Sequence, residues 1–247
     1  MKLTKIKPKF VNKYNPRIGL ITLATDLRIE KDFNNVIYGK SIDLYCNRIK
    51  SYNPLTNETL KKMADDIPIV AKNILPDQKL DCIAYGCTSG TIAAGYPSIF
   101  EKVNLAKPNT NVTTPITSAL SAFKTLKIKK LTVFTPYTNE INQSVINYFK
   151  KEKIEITELS YFDIASDLDI GKIDPDYLVD ILSNLDLSKS DTLFVSCTAL
   201  PVLSIIEILE KKLGKVVLSS NQTLIWDTLK KIKYKDKITG FGQLFNF

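Results

Sequence analysis

Two Cys-Thr pairs are the residues in this chain best placed to do chemistry. Cys87 and Cys197 each follow an apolar run that predicts a buried strand. In open parallel sheets, ligands bind beyond the carboxyl ends of the strands, where backbone N–H groups converge. Two thiols on opposite sides of one bound carbon would let one remove a proton or attack while the other returns a proton. Racemisation and cis-trans isomerisation both need this arrangement.

The residues that follow the two thiols are expected to bind a carboxylate. Each cysteine is predicted to precede a helix, whose N-terminus would lower the thiol pKa and hold an anion or a developing enolate. The residues that would supply backbone N–H groups are Thr88, Ser89, Thr198 and Ala199. The other two cysteines, Cys46 and Cys82, are interpreted as small core residues.

Composition excludes several other kinds of site. The 247 residues contain no histidine, which excludes Ser-His-Asp triads and His-based metal sites. The net charge of +8 comes from scattered lysines, so nucleic-acid binding is not expected. No apolar run is long enough to span a membrane, and residues 1–13 lack the apolar core of a signal peptide. We therefore expect a cytoplasmic protein without membrane contact, with its cysteines reduced.

An internal repeat relates the two cysteines. Residues 81–89, DCIAYGCTS, match residues 191–199, DTLFVSCTA, and residues 18–26, IGLITLATD, match residues 131–139, LTVFTPYTN. The two matches have offsets of 110 and 113 residues. Because these offsets nearly agree, the sequence predicts two similar halves related by a pseudo-twofold axis, with the Cys-Thr strand ends face to face.

The elements that position the thiols are those of an α/β fold, because short β-rich runs alternate with segments of helical period. We expect two similar Rossmann-like halves, each with a mainly parallel four-stranded sheet, and an active site in the cleft between them. Strands are predicted at residues 18–23, 41–46, 82–85, 131–135, 154–159, 193–196 and 216–218. Helices are predicted after Asp174-Pro175, after Leu200 and over residues 220–232.

The chain is expected to pass from one half to the other and to return. The first half would comprise residues 1–115 together with residues 219–247, so that it takes the final helix. The second half would comprise residues 116–218. The sequence is also consistent with a homodimer.

Four runs give the chain a resemblance to a known group of enzymes. They are YGCTSGT, TPYTNEIN, SCTALPVL and SSNQTLIW, at residues 85–91, 135–142, 196–203 and 219–226. These runs resemble the aspartate/glutamate racemase superfamily, in the branch of maleate cis-trans isomerases, arylmalonate decarboxylases and ectoine-utilisation A-type proteins. The opening LATDLRIEKDF, at residues 23–33, looks most like the last of these.

The resemblance implies roles for particular residues and no metal or organic cofactor. Cys87 would be the nucleophile or first base, and Cys197 would be the opposing acid or base. Tyr137 resembles a tyrosine that hydrogen-bonds a substrate carboxylate, although loop packing also explains a Pro-Tyr pair. Ser220 and Asn221 would complete the pocket, although a helix N-cap explains either equally well.

One departure from the family pattern bears on the substrate. Maleate isomerases have a Ser-Ser-Asn run after the first strand, whereas this chain reads Ala24-Thr25-Asp26. An ionised Asp26 would repel a second substrate carboxylate and favour an amino group. A loop cap is the alternative interpretation of this residue.

The sequence therefore predicts a cofactor-independent two-cysteine isomerase or racemase of a small carboxylate, with an amino- or amide-bearing substrate favoured over maleate. Arylmalonate decarboxylases are expected to keep only the second cysteine, so retention of both favours isomerisation. Two alternatives stay open. One is a decarboxylase or hydrolase that uses a single thiol, and the other is a carboxylate-binding protein without catalysis.

Overall fold

Two parallel sheets form the framework of the molecule. The computed structural model describes residues 1–11 and 13–247. Its strands are β1 (Arg17–Leu23), β2 (Asp43–Ile49), β3 (Cys82–Gly86), β4 (Asn111–Thr113), β5 (Lys130–Thr135), β6 (Glu155–Tyr161), β7 (Thr192–Val195) and β8 (Val217–Ser219). The strand order is β2-β1-β3-β4 in one sheet and β6-β5-β7-β8 in the other, and all neighbouring strands are parallel. The predicted fold class is confirmed.

Helices connect the parallel strands, as crossover connections require. They are α1 (Ile29–Ile37), α2 (Asn57–Met63), α3 (Ile67–Lys72), α4 (Thr88–Ala94), α5 (Tyr96–Ala106), α6 (Pro115–Leu126), α7 (Asn139–Lys151), α8 (Asp167–Ile170), α9 (Pro175–Ser183), α10 (Ile206–Leu213) and α11 (Ser220–Lys231). Among the described residues, no helix combines the length and the apolar character that a membrane crossing requires.

The internal repeat reappears in the pairing of the strands. Ile18 of β1 lies beside Cys82 of β3, and the repeat-related Leu131 of β5 lies beside Thr192 of β7. The aspartate that opens each cysteine run also has the same task in both halves, because its carboxylate accepts a backbone N–H at the start of the central strand. Asp81 accepts from Arg17 at 2.8 Å, and Asp191 accepts from Lys129 and Lys130 at 2.8 and 2.9 Å.

Helices α6 and α11 cross between the two sheets. Phe123 of α6 packs edge-on against Phe194 of β7, with ring centroids 5.5 Å apart, although α6 follows β4 of the other sheet. Helix α11 follows β8 but packs against β3 and β4, and the hydroxyls of Thr228 and Thr113 lie 2.9 Å apart. The two helices also contact each other through Ser118 and Asp227. The domain boundaries at residues 115 and 219 stay a prediction.

Most predicted elements occur, and the differences concern sheet edges and helix starts. The strand β4 was not located by the pattern because it has three residues and lies at a sheet edge. The predicted strand 41–46 is displaced to β2, another edge strand, where Cys46 is exposed, so its interpretation as a core residue is wrong. Cys82 is buried. Asp174 caps α9 as predicted, accepting the N–H of Asp176 at 2.8 Å.

Candidate active site

Cys87 lies where β3 passes into α4, in the position of an N-cap. Its sulfur accepts the backbone N–H of Gly90 at 3.2 Å and lies 3.8 Å from the hydroxyl oxygen of Ser89. Gly90 is required here by space, because a Cβ at this position would lie 2.8 Å from the Cys87 sulfur. A thiolate accepts hydrogen bonds more strongly than a thiol, so this geometry favours the charged form of Cys87.

Cys197 follows β7, but it does not begin a helix. Residues 198–202 are irregular, a short 3-10 turn covers Leu203–Ile205, and α10 starts only at Ile206. Pro201 explains the delay, because the residue before a proline is disfavoured in the helical region. The prediction that a helix N-terminus directly follows this cysteine is wrong. A single backbone N–H, that of Ala199, interacts with its sulfur and favours the thiolate.

The two cysteine loops meet between the sheets, in a region that we call the cleft. The hydroxyl of Thr198 donates to the backbone oxygen of Gly86 at 3.3 Å, so the residue after one cysteine contacts the residue before the other. The side chain of Tyr137 lies close enough to both sulfurs to interact with each electrostatically. Cys87 is 4% exposed and Cys197 is 6% exposed, so the cleft is almost sealed from solvent.

Both thiols are uncharged at neutral pH in this closed structure. Burial raises the pKa of Cys87 to about 12 and the pKa of Cys197 well above its ordinary value. The negative charges of Asp167 and Asp26 raise the pKa of both thiols further. Together with burial, they outweigh the backbone N–H donors, which lower these pKa values. The prediction of lowered thiol pKa values is therefore wrong for the free protein, because desolvation and negative charge dominate.

Tyr137 is held rigidly at the end of β5. Its backbone N–H donates to the Thr135 hydroxyl at 3.2 Å, and its backbone oxygen accepts from the Asn142 side chain at 3.1 Å. Thr135 and Asn142 also bond to each other. Burial raises the pKa of the Tyr137 phenol well above its ordinary value, so the phenol is a hydrogen-bond donor beside the two sulfurs.

Asp26 has one occupied and one free oxygen. Its Oδ1 accepts the backbone N–H groups of Arg28 and Ile29 at 2.7 and 2.9 Å, which caps the start of α1. Its Oδ2 is buried without a hydrogen-bond partner in the described part of the chain. Burial raises the pKa of Asp26, and the nearby Thr198 hydroxyl partly offsets the increase. The cap interpretation therefore accounts for one oxygen only.

Asn221 links the start of α11 to the cleft. Its side-chain N–H groups donate to the backbone oxygen of Thr198 at 2.8 Å and to the carboxylate of Asp32 at 2.7 Å. Its own Oδ1 is buried without a partner in the described part of the chain. The cap of α11 is Ser219, whose hydroxyl oxygen accepts from Gln222 at 3.2 Å. Asn221 is therefore free of the capping role that the sequence left open.

Thr88 and Ser220 lie at the same junction, but their hydroxyls face each other. The two oxygens are 2.9 Å apart, and both residues are almost completely buried. This pair joins the start of α4 to the start of α11. Only the backbone N–H groups of these residues are left for a substrate.

Two segments far apart in sequence contact each other near the cysteines. The Thr25 hydroxyl donates to the Asp167 carboxylate at 2.8 Å, across 142 residues of sequence. The Arg28 guanidinium donates twice to the backbone oxygen of Gly171, at 3.0 and 2.6 Å. We call the loop 24–28 and the segment 165–171 the lid contact.

Sequence reasoning missed four residues of this cleft, which are Asp32, Tyr85, Gly90 and Asp167. Asp32 had a detectable signal, because it lies on the apolar face of α1 with Ile29 and Phe33. Tyr85 lies within a run that drew attention, and its buried hydroxyl has no partner in the described residues although it is near Cys87. Asp167 had no sequence signal, because its partner Thr25 lies in the other half.

Comparison with known proteins agrees with this architecture. A family model described as arylmalonate decarboxylase matches residues 55–245. The maleate isomerase of Geobacillus stearothermophilus is 27% identical over 246 residues, covering 93% of this chain and 97% of that protein. The arylmalonate decarboxylase of Bordetella bronchiseptica is 26% identical over 137 residues, covering 54% of this chain and 57% of that protein.

A solved structure has the same fold over nearly the whole chain. A cysteine-to-serine variant of the Nocardia farcinica maleate cis-trans isomerase, with a covalently bound succinylcysteine intermediate, superimposes with a TM-score of 0.85. It is 20% identical in sequence, and the match covers 93% of this chain and 98% of that one. The closer resemblance to ectoine-utilisation proteins stays a prediction.

Proposed function

The chain belongs to the arylmalonate decarboxylase family, and from this premise we propose that it is a two-thiol isomerase of a small carboxylate. The similarity to maleate isomerases supports an isomerase. The observation that carries the proposal is the meeting of two cysteine loops from similar halves at one buried cleft, joined by the Thr198 to Gly86 hydrogen bond. The product formed, an enantiomer or a geometric isomer, distinguishes racemisation from cis-trans isomerisation.

In the proposed mechanism Cys87 acts first as the thiolate. The Gly90 N–H at 3.2 Å and the Ser89 hydroxyl at 3.8 Å would stabilise its negative charge. Cys197, whose donors are the Ala199 N–H and the Tyr137 hydroxyl, lies in an irregular loop and not at a helix start, and it would stay protonated so that it can deliver a proton to the substrate. In racemisation Cys87 would keep the proton that it removes from the carbon and Cys197 would lose the proton that it donates, so that thiol and thiolate exchange places. In cis-trans isomerisation the Cys87 thiolate would add to one carbon of the double bond while Cys197 protonates the other, and after rotation Cys197 would take the proton back as the C–S bond breaks.

A substrate carboxylate would bind on the side of the cleft that offers donors. The phenol of Tyr137 and the backbone N–H groups after the two cysteines would hold it, and they would stabilise an enolate as charge moves onto the carboxylate. The residues that would supply these N–H groups are Thr88, Ser89, Thr198 and Ala199. The free Oδ2 of Asp26 favours an amino- or amide-bearing substrate over maleate.

Substrate entry would require the lid contact to open. The thiols are nearly inaccessible, and the Thr25 to Asp167 and Arg28 to Gly171 hydrogen bonds join the two halves above them. Closure over the substrate would exclude water and strengthen electrostatic interactions in the cleft.

The experiment that tests this function measures solvent deuterium incorporation and isomer formation. Wild-type protein, Cys87→Ser and Cys197→Ser would be incubated in deuterated water with small dicarboxylates, amino acids and N-acylated diamino acids. We expect label or isomer from wild type, and a loss of more than about 1,000-fold in each variant, as is typical for removal of a catalytic nucleophile. Cys82→Ser, at a buried cysteine outside the cleft, is the matched control.

Two results would contradict the proposal. Activity that survives in Cys87→Ser but not in Cys197→Ser would indicate a single-thiol decarboxylase or hydrolase. Ligand binding without label or product in the wild-type protein would indicate a carboxylate-binding protein without catalysis. Circular dichroism of each variant would establish that it is folded.

A further inference from the structure

Three buried carboxylates surround the proposed catalytic cleft without a cation. Asp26, Asp32 and Asp167 are each at least nine-tenths buried, and none forms an ion pair with a lysine or arginine in the described part of the chain. Taking a carboxylate out of water without a countercharge is costly. The closed cleft therefore has a deficit of positive charge.

The nearby arginines are already committed elsewhere. Arg28 donates to the backbone oxygen of Gly171, and Arg48 pairs with Glu30 on the surface. Lys31, Arg28 and Arg48 influence the carboxylates only from a distance. The remaining ionisable groups that face the cluster are the thiols, which are uncharged at neutral pH. The missing cation therefore has no source within the described part of the cleft.

An independent acceptor lies beside the acidic cluster. The amide of Asn221 donates to a backbone oxygen and to a carboxylate, and both of these are acceptors. Its orientation is therefore fixed, and Oδ1 is the atom left unpartnered. Oδ1 of Asn221 and Oδ2 of Asp26 are both buried acceptors without donors, and both belong to residues next to Thr198. Two orphan acceptors call for a ligand rich in N–H donors.

We infer that the cleft binds a primary ammonium group of the substrate, held by Asp26, Asp167 and the side-chain oxygen of Asn221. Asp32 is a positioning residue, because it orients the Asn221 amide without facing the ligand. The inference rests on the proposed function, since it assumes that the substrate lies between the two thiols. It narrows the substrate class to amino carboxylates.

The ammonium group would also assist the thiols. Asp167 and Asp26 disfavour negative charge on both sulfurs in the free protein. A bound cation would neutralise that field, so thiolate formation would become easier when the correct substrate is present. A dicarboxylate would have the opposite effect, since it adds negative charge to the cleft.

The test compares ligands that differ only in an amino group. The probes are alanine and lactate, aspartate and malate, and 2,4-diaminobutanoate and 2,4-dihydroxybutanoate, with binding measured by calorimetry. At about pH 8, where Asp32 and Asp167 are ionised, we expect at least one amino member to bind ~10-fold or more tightly than its hydroxy partner. The preference should shrink at about pH 5, because burial raises the pKa of Asp32 to about 7 and that of Asp167 to about 6, so both carboxyls are protonated there.

Asparagine variants show which carboxylates cause the preference for amino ligands over hydroxy ligands. Asp26→Asn keeps an oxygen to cap α1, and Asp167→Asn keeps an acceptor for Thr25, so both should fold. Each should reduce the amino-to-hydroxy ratio by ~10-fold or more. Asp169→Asn, at an exposed residue of the same helix as Asp167, is the matched control and should leave the ratio unchanged.

Two substitutions of Asp32 test whether it orients the Asn221 amide. Asp32→Ala should weaken binding of the amino ligand, whereas Asp32→Asn, which still accepts from Asn221, should restore it. A purely structural role would lower the melting temperature of Asp32→Ala without this selective rescue.

Failure of this inference and failure of the proposed function are distinguishable. If every hydroxy ligand binds as tightly as its amino partner, or no amino ligand binds, the ammonium site is wrong. If deuterium is then incorporated into a hydroxy acid or maleate, and this incorporation requires both thiols, the two-thiol function still holds. If amino ligands are preferred but no label or isomer appears, the ammonium site stands and the proposed catalysis fails.

Discussion

The two halves place opposite chemistry at the same position of the repeat. After β1 the chain reads Ala24-Thr25-Asp26, and after β5 it reads Tyr137-Thr138-Asn139. The first strand end contributes a buried carboxylate with a free oxygen, whereas the second contributes a buried phenol beside the sulfurs. The two sheets have equivalent strand orders, so the halves differ mainly in their loops. The loop after β1 therefore contributes a hydrogen-bond acceptor and the loop after β5 contributes a donor. We call Asp26, Asp32 and Asp167 the acidic wall and Tyr137 the donor wall.

The two thiols differ in the same way. Gly90 stands three residues after Cys87 within a helix, and its repeat-related position is Leu200, followed by Pro201. The first sulfur therefore receives a helix N–H at 3.2 Å, while the second lies in an irregular loop. This asymmetry is the physical basis for assigning the first thiolate to Cys87.

The largest predicted effect is a change in stability with pH, which the buried carboxyls of the acidic wall cause. Burial raises the pKa of Asp32 to about 7 and of Asp167 to about 6, above the ordinary value of 3.8. The folded protein then holds protons that the unfolded chain releases, so the free energy of unfolding falls as the pH rises from about 4 to about 7. For Asp167 the loss is of the order of 3 kcal/mol.

Urea unfolding at about pH 4 and about pH 8 checks this expectation. Asp167→Asn should be more stable than wild type at about pH 8, and the difference should shrink to below about 1 kcal/mol at about pH 4, where both states of wild type are largely protonated at this residue, whereas Asp169→Asn should follow wild type. A stability of wild type that rises with pH over this range would contradict the buried, unpaired state of the cluster.

The donor wall gives the next largest effect. Tyr137→Phe removes the phenol hydrogen-bond donor while keeping the ring, so we expect kcat/KM to fall ~100-fold, with little change in melting temperature. The measurement is the isomerisation or deuterium-exchange rate with the best substrate. Tyr161→Phe, at an exposed tyrosine of the same half, is the control. An equal loss of kcat/KM in both variants would contradict a role for the Tyr137 phenol in binding the substrate.

The thiol asymmetry is tested by Gly90→Ala. The new Cβ would lie 2.8 Å from the Cys87 sulfur and 3.0 Å from the Tyr85 hydroxyl, so we expect a destabilisation of about 2 kcal/mol. In the Cys87→Ala background part of this cost should disappear, because the sulfur is gone. A double-mutant cycle by urea unfolding measures the coupling, and full additivity would show that Gly90 does not crowd the thiol.

The contrast between strands and loops also explains how far the sequence could predict the structure. All the strands except β4 and the similarity of the two halves were predictable, because buried parallel strands have continuous apolar runs and the repeat relates them. Cys46 was misjudged because an edge strand such as β2 exposes part of its surface. The thiol pKa values and the role of Asp167 were not predictable, since they depend on burial and on contacts between residues far apart in sequence.

The lid contact gives the smallest predicted effect. Thr25→Val removes the hydroxyl that donates to Asp167 at 2.8 Å and keeps the shape of the side chain. We expect a loss of about 1 kcal/mol in stability and a change of a few-fold in KM, because the lid contact weakens while the thiols are untouched. Steady-state kinetics checks this, and a larger loss in kcat than in KM would contradict a lid role.

The central claim is that two thiols from two similar halves address one bound carbon from opposite faces. A crystal structure with the amino carboxylate that binds most tightly tests it directly. We predict one ligand carbon between the two sulfurs, with Cys87 and Cys197 each within about 4 Å of it and on opposite sides. A ligand that contacts one sulfur alone, with the other directed into a separate part of the protein, would contradict the account.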